Sequence, residues 1–270
     1  MGIRTRTRFM HALFSARTGA VLVAAGVALL LTTGAFYGYR AYATIEASAL
    51  DVSAGADGTA RSMDAVGHPL VSRYAASQTA TLNPAYWGGS LWAGPSYETA
   101  ALPDGFRPVR PSDIAPKAPA DHIAIPAIGV DSPVRELEIM DFGDSRQYET
   151  PKHVVGHIPE TANPGEAGNG WLFGHLESPI RGEGNVFQGL PRVATLLQRY
   201  IETGENPVYV TLSGPDGGFL YEVVETRIVH KDDLALYGSD GATITLVTCY
   251  PRFVYDQRVV VTARLVGVRG

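Results

Sequence analysis

Cysteine is nearly absent: the chain has one thiol, Cys249, in 270 residues. A single thiol forms no intrachain disulfide and no CxxC zinc or redox site. Acids are missing from the first 40 residues, which carry Arg4, Arg6, Arg8, Arg17 and Arg40. Basic residues are scarce beyond them, where 17 bases face 27 acids, a balance of −10. An acidic body lacks the basic surface that replaces counterions along a phosphate backbone, which argues against nucleic acid as a partner. Phosphate-cradling glycine loops, nucleotide fingerprints and clustered metal-ligand motifs are also missing. Glycine (30) and proline (18) are plentiful and favour short strands and turns over long helices. Hydrophobic residues at 45% against charged residues at 18% still supply an ordinary packed core.

One long uncharged run is present. Between Arg17 and Arg40 lie 22 residues without a charge, which as a helix reach about 33 Å, enough to cross a bilayer core. The apolar region of a cleaved signal peptide is typically about 7–15 residues. The run over 18–39 therefore reads as an uncleaved membrane anchor, although Ala41-Tyr42-Ala43 has the small-x-small form of a cleavage site. Four arginines precede the run and one follows closely, which predicts cytoplasmic residues 1–17 and an extracytoplasmic remainder. Arg6 stands where a myristoylation signal needs Ser or Thr, so Gly2 is no acylation site.

Residues 40–118 read as a linker, rich in Ala, Ser, Gly, Asp and Pro without a sustained apolar period. Within it Tyr86, Trp87, Trp92 and Tyr97 sit among glycines, and large aromatics are wasted on a free tether. The segment 83–97 is expected to dock on the folded domain or cover its cleft.

From 119 to 270 the pattern turns to β. Short apolar runs stand at 122–126 and 208–212, a long β-rich run at 219–230, and two more at 243–249 and 258–266. The last alternates, so Val259, Val261, Ala263 and Leu265 share one face. One stretch, 185–200, is expected to be helical, with Val193, Leu196, Leu197 and Tyr200 on one side. Many short strands with one helix predict a mainly all-β domain, a closed or nearly closed barrel of about 150 residues.

A lone cysteine is by default a small buried hydrophobe. Cys249 stands elsewhere, at the end of the run Thr245-Leu246-Val247-Thr248-Cys249-Tyr250-Pro251. Pro251 stops the strand, which puts the sulfur at a barrel rim, where sites are built. His175 likewise follows an apolar run, Gly170-Trp171-Leu172-Phe173-Gly174-His175, and Gly174 leaves room for another chain beside it. Of the seven histidines, His157 in Val155-Gly156-His157-Ile158 is the rival. Arg258 opens the last strand. If 251–257 forms a hairpin-like loop, Cys249 and Arg258 are cross-strand neighbours, and the guanidinium would lower the thiol pKa or stabilise an oxyanion.

These residues resemble the sortases, membrane-anchored cysteine transpeptidases of bacterial surfaces. Thr245-Leu246-Val247-Thr248-Cys249 matches their TLxTC motif, and Arg258 falls on the arginine of their last strand. Asn163-Pro164-Gly165-Glu166, then Gly168-Asn169 and the apolar run ending Gly174-His175, resembles the segment leading to their catalytic histidine. The resemblance spans roughly 120–270 and selects His175 over His157. One departure is visible: sortases often carry Arg after the Gly-His pair, and this chain has Leu176-Glu177-Ser178.

The resemblance implies an eight-stranded β-barrel with one or two short helices. It also implies cleavage of a C-terminal sorting signal, often LPxTG-like, in an exported protein. Cys249 would form a thioacyl-enzyme, His175 would shuttle protons, and Arg258 would hold the substrate or oxyanion. Thr248 would add a hydroxyl to that cradle. The acceptor would be an amine of a peptidoglycan precursor or a pilin. No cofactor is implied. Glu177, Asp232 and Asp233 are the acids that would offer oxygens to calcium, which some sortases use, and by themselves they read as scattered surface acids. Two rival functions remain, a cysteine endopeptidase using water and an inactive stalked binding module. By resemblance to pilin-building sortases, 83–97 would be a lid, since Asn83-Pro84-Ala85-Tyr86-Trp87 loosely resembles their Asp-Pro-aromatic anchor.

Overall fold

The computed structural model describes residues 4–54, 102–141, 146–149, 151–178 and 182–270. It divides into two units, 1–46 and 47–270. The segment 83–97 lies outside the described residues.

The first unit is a helix, α1 (Arg4–Ser48), that continues past the uncharged run because Ala-rich sequence follows Arg40. Its part Gly19–Ser48 contains an 18-residue stretch with a mean hydropathy of 2.1 and is long and apolar enough to cross a membrane.

Among the described residues the second unit has twelve strands. Two short ones come first, β1 (Val52–Ser53) and β2 (Arg107–Pro108). Then follow β3 (His122–Ile125), β4 (Val130–Glu136), β5 (Glu138–Asp141), β6 (Arg146–Glu149), β7 (Val155–His157) and β8 (Gly168–Phe173). A helix, α2 (Arg192–Thr203), precedes β9 (Tyr209–Gly214), β10 (Gly217–His230), β11 (Ala242–Tyr250) and β12 (Gln257–Arg269). The neighbour order β10-β9-β3-β4-β7-β8-β11-β12 returns to its start because β12 also pairs with β10. Eight strands thus close a barrel and leave no free edge in the ring. Two neighbour pairs are parallel, β4 with β7 and β8 with β11.

The long strands overrun their neighbours. β1 pairs with β10 beyond the reach of β9, and β2 pairs with β12 beyond the reach of β11. Thr226 Oγ1 donates to the Leu50 carbonyl (2.6 Å), and Asp51 Oδ1 accepts from the Ile228 amide (2.6 Å). Parts of the segment 40–118 therefore lie on the barrel, upstream of the expected boundary at 119.

Strand parity sorts the core. Val259, Val261, Ala263 and Leu265 face inward as their alternation predicts, against Ile244, Leu246, Ile123, Leu212 and Tyr221. A smaller outer cluster joins Trp171, Val247 and Val260, with Phe173, Leu234 and Tyr237 packed on it. Tyr237, in the β10–β11 connection, meets Trp171 edge-on at 4.8 Å, and its carbonyl accepts from the indole Nε1 (3.0 Å). That connection is thereby pinned over the outer face of β8 and β11.

The helix is shorter at its start than 185–200 predicts. Gly189 and Pro191 hold the chain in turns until Arg192, and Gly204 caps the far end at φ 71°. Val193 and Leu197 are buried, with Leu196 and Tyr200 packed beside them, so the expected face is the one that covers the core.

Candidate active site

The central strand of the site is β11. On one side it pairs in parallel with β8, ending at Val247 opposite Phe173. On the other it pairs antiparallel with β12, where Cys249 is the direct partner of Arg258. Past the last β8–β11 rung the strands stay stitched. The Gly174 amide donates to the Val247 carbonyl (3.1 Å), and Thr248 Oγ1 donates to the Gly174 carbonyl (2.8 Å). Two residues beyond that rung stand His175 on one chain and Cys249 on the other. In sheet order, His175 and Arg258 flank Cys249 at one end of the barrel.

Parity also fixes the face. Thr245 and Val247 alternate with the inward Ile244 and Leu246, and Val247 belongs to the outer cluster, so Cys249 projects on the outer side. The cysteine is half-buried. Burial pushes its thiol pKa above the ordinary value, while the charge of Arg258 pulls the other way. Arg258 is itself partly buried, and its Nη1 donates to the carbonyls of Tyr255 (3.0 Å) and Gln257 (2.8 Å). The guanidinium is therefore set by main-chain acceptors at the start of its own strand. The loop bearing His175 is fixed by the Phe187 amide, which donates to the His175 carbonyl (3.0 Å).

Two expected substrate contacts have other work. Thr248 is 2% exposed and faces inward, opposite in parity to Cys249, and its hydroxyl proton is committed to Gly174. It ties the histidine strand to the cysteine strand. A Cβ on Gly174 would meet Phe187 at 2.5 Å and Val186 at 2.7 Å. The space beside this glycine is filled by the 186–187 segment, so it serves close packing in place of room for a second chain.

His157 is 4% exposed and closes β7, where it pairs with Leu172 on β8, three rungs before the level of His175. Its Nε2 lies 3.1 Å from the Ala162 carbonyl and 3.2 Å from Thr161 Oγ1. Burial lowers its pKa, opposed first by the hydrogen bond with the Ala162 carbonyl and then by the charges of Glu136 and Glu166. The fold separates the rival histidine from Cys249.

The acids also take specific places. Glu177 accepts from Arg252 Nε (2.5 Å) and from the Tyr255 hydroxyl (2.8 Å). Those partners hold its carboxyl below the usual range, with Arg252 the larger influence. Asp232 lies 3.4 Å from His230 Nδ1. Among the described residues no group of three or more His, Cys, Asp or Glu is placed to hold a metal ion. Neither Arg252 nor Tyr255 was singled out from sequence, because their partner lies 75 and more positions away.

Beside the strand ends runs a groove of about 760 Å³, between the β3–β4 turn and the segment before α2. Leu176 and Tyr250, the residues following His175 and Cys249, line its near end with Arg252, and Asp131 and Arg192 line its walls. His175, Cys249 and Arg258 do not themselves line this groove. The arrangement at the strand ends is a thiol with a cation across the ladder and an imidazole-bearing chain on the other side. Such a set can carry out nucleophilic acyl transfer.

A sequence model of the sortase domain matches residues 123–266, more than half of the chain and nearly all of the barrel. The chain belongs to the sortase family. It is 30% identical over 118 residues to sortase D of Bacillus subtilis (strain 168), an alignment covering 43% of this chain and 49% of that protein. The chain thus spans about half the length of this curated relative. Among solved structures it is similar to a lid mutant of sortase A from Corynebacterium diphtheriae. The identity is 22% and the TM-score 0.42, covering 56% of this chain and 72% of that one. It is also similar to sortase C1 of Streptococcus agalactiae, with 22% identity and a TM-score of 0.40 over 53% and 65% of the two chains.

Proposed function

We propose that this protein is a membrane-anchored cysteine transpeptidase that cleaves a C-terminal sorting signal of exported proteins and joins the new carboxyl to an amine. The observation that carries the reading is that Cys249 on β11 has Arg258 as its partner on β12 and, on its other side, the chain leaving β8, which carries His175 two residues past the strand. In this reading the Cys249 thiolate attacks the scissile carbonyl, with Arg258 stabilising the negative charge that develops on oxygen. The leaving amine takes a proton from His175 and departs, leaving a thioacyl-enzyme. An incoming amine, from a peptidoglycan precursor or a pilin, gives its proton to His175 as it attacks. A new amide forms and the thiolate is released.

The apolar part of α1 would hold the enzyme in the membrane, with residues 1–17 cytoplasmic and the barrel, 119–270, outside.

The test is product analysis with the full chain in detergent, using peptides that carry LPxTG-like motifs, with and without an added amine. The reading predicts cleavage with the amine joined to the N-terminal fragment. Free acid in both conditions would make the protein an endopeptidase that uses water, and no cleavage with an inert thiol would make it a binding module.

A further inference from the structure

Glu177 is joined to both sides of the site by contacts that skip over Cys249. It follows His175 by two residues, so it belongs to the chain leaving β8. Its side chain is only 8% exposed and reaches the β11–β12 loop, where Arg252 and Tyr255 both donate to it. Tyr255 is held at three points: its hydroxyl on Glu177, its amide donating to the Pro251 carbonyl (2.9 Å), and its carbonyl receiving Arg258 Nη1. It sits at φ 55°, a left-handed conformation that a bulky L-residue keeps only where its surroundings impose it. Arg258 in turn is the cross-strand partner of Cys249.

We propose that Glu177 is a positioning residue that sets the Arg258 guanidinium beside Cys249 by fixing Tyr255 in the loop. Without the Glu177 carboxylate, the Tyr255 hydroxyl loses its anchor and the left-handed residue relaxes. Its carbonyl then leaves Arg258 Nη1, and the guanidinium swings away from the thiol. The proposal rests on the transpeptidase reading for its purpose, but its test needs no turnover.

The lone thiol makes that test direct, since any alkylation reports Cys249 alone. Iodoacetamide alkylation of the full chain in detergent is followed against pH. The charged and titratable groups on the flanking segments are His175 and Glu177 after β8, Arg252, Tyr255 and Asp256 in the loop, and Arg258 on β12. The sign of the effect separates two mechanisms. Removing a nearby negative charge by itself lowers a thiol pKa, whereas displacing Arg258 raises it.

Glu177→Ala is expected to move the alkylation profile to higher pH and slow alkylation at pH 7 by about threefold or more. Arg258→Gln should do the same, and the double variant should match Arg258→Gln alone. Glu177→Gln, whose amide oxygen still accepts from the Tyr255 hydroxyl, should return most of the way to the parent. Tyr255→Phe leaves the carboxylate in place and should still shift the profile upward, which keeps the proposal testable if Glu177→Ala does not fold. An unchanged or lowered profile in Glu177→Ala or Tyr255→Phe overturns it, as does an Arg258→Gln profile that does not move. The upward shift in a protein that forms no amide product would sink the transpeptidase reading and leave the positioning role standing.

Discussion

Cys249 and Arg258 are the two members of one cross-strand pair, next to the last at the loop end of the β11–β12 ladder. Register places the guanidinium stem beside the thiol, and two carbonyls on one nitrogen, Tyr255 O and Gln257 O, set how the planar group lies. A point charge on a flexible stem does not reproduce that arrangement. Arg258→Lys is therefore expected to keep the fold and lose about 10²–10³ in kcat/KM for a sorting peptide, the usual loss for one oxyanion donor. Steady-state kinetics and a melting curve on the same preparation check this; a near-normal rate would reduce Arg258 to a general positive potential.

Burial holds the Cys249 thiol pKa above its ordinary value, against the pull of Arg258. The thiolate is then the minor form at neutral pH, and its fraction grows as pH rises. Alkylation of the free enzyme should accelerate with pH through and beyond the ordinary thiol range near 8.5. A rate already at its plateau at pH 7 would mean that the charge outweighs the burial.

The two histidines should separate cleanly. His175→Ala is expected to abolish turnover with the melting temperature nearly unchanged, because the ring stands past the end of β8. His157→Ala should cost about 1–3 kcal/mol of stability while the folded fraction keeps its rate, because the ring fills a buried position. Kinetics normalised to folded protein read both variants, and the reverse pattern would reassign the catalytic base.

His157 also predicts an acid-side loss of stability. Its pKa is lowered in the folded state, so the ring stays neutral there while the unfolded chain binds a proton below about 6.5. Its contribution is fully present above that value and shrinks as pH falls toward the folded pKa. Between pH 7.5 and 5 the parent should lose more melting temperature than His157→Gln; equal losses would place the acid sensitivity elsewhere.

Thr248 and Gly174 form the seam that carries His175 alongside Cys249. Thr248→Val keeps the shape and removes the bond to the Gly174 carbonyl, which should cost about 1 kcal/mol. Gly174→Ala drives a methyl into Phe187 and should cost about 1–3 kcal/mol. Both should lower kcat more than they raise KM, since they loosen the approach of base to nucleophile; Gly174→Ala also presses on Val186 in the groove wall and should raise KM more than Thr248→Val does. A pure KM effect would return these two residues to substrate contact.

Much of this was legible in the sequence because strand periodicity is local. The alternation over Val259, Val261, Ala263 and Leu265 gave the inner face of β12, and Pro251 gave the strand end at Cys249. β4, β5, β6 and β7 went unrecognised. β7 is only three residues, and β4 carries Pro133 within its alternation. The inward turn of Thr248 is legible in the same alternation, since neighbours on a strand face opposite ways and Thr248 cannot share the face of Cys249. The crowding at Gly174 was not readable, because Val186 and Phe187 arrive from a separate turn. Nor was the Glu177 link to Arg252 and Tyr255, which only the closure of the barrel end creates.

The central claim is covalent catalysis at Cys249, and mass spectrometry of the acid-trapped enzyme tests it most directly. The full chain in detergent is mixed with a sorting peptide, quenched in acid within one turnover, and digested. The account predicts a thioester-linked N-terminal peptide fragment on the segment containing Cys249, lost on adding hydroxylamine and absent from Cys249→Ala, which should remain folded and cleave nothing. Cleavage that proceeds with no adduct, or that persists in Cys249→Ala, would contradict it.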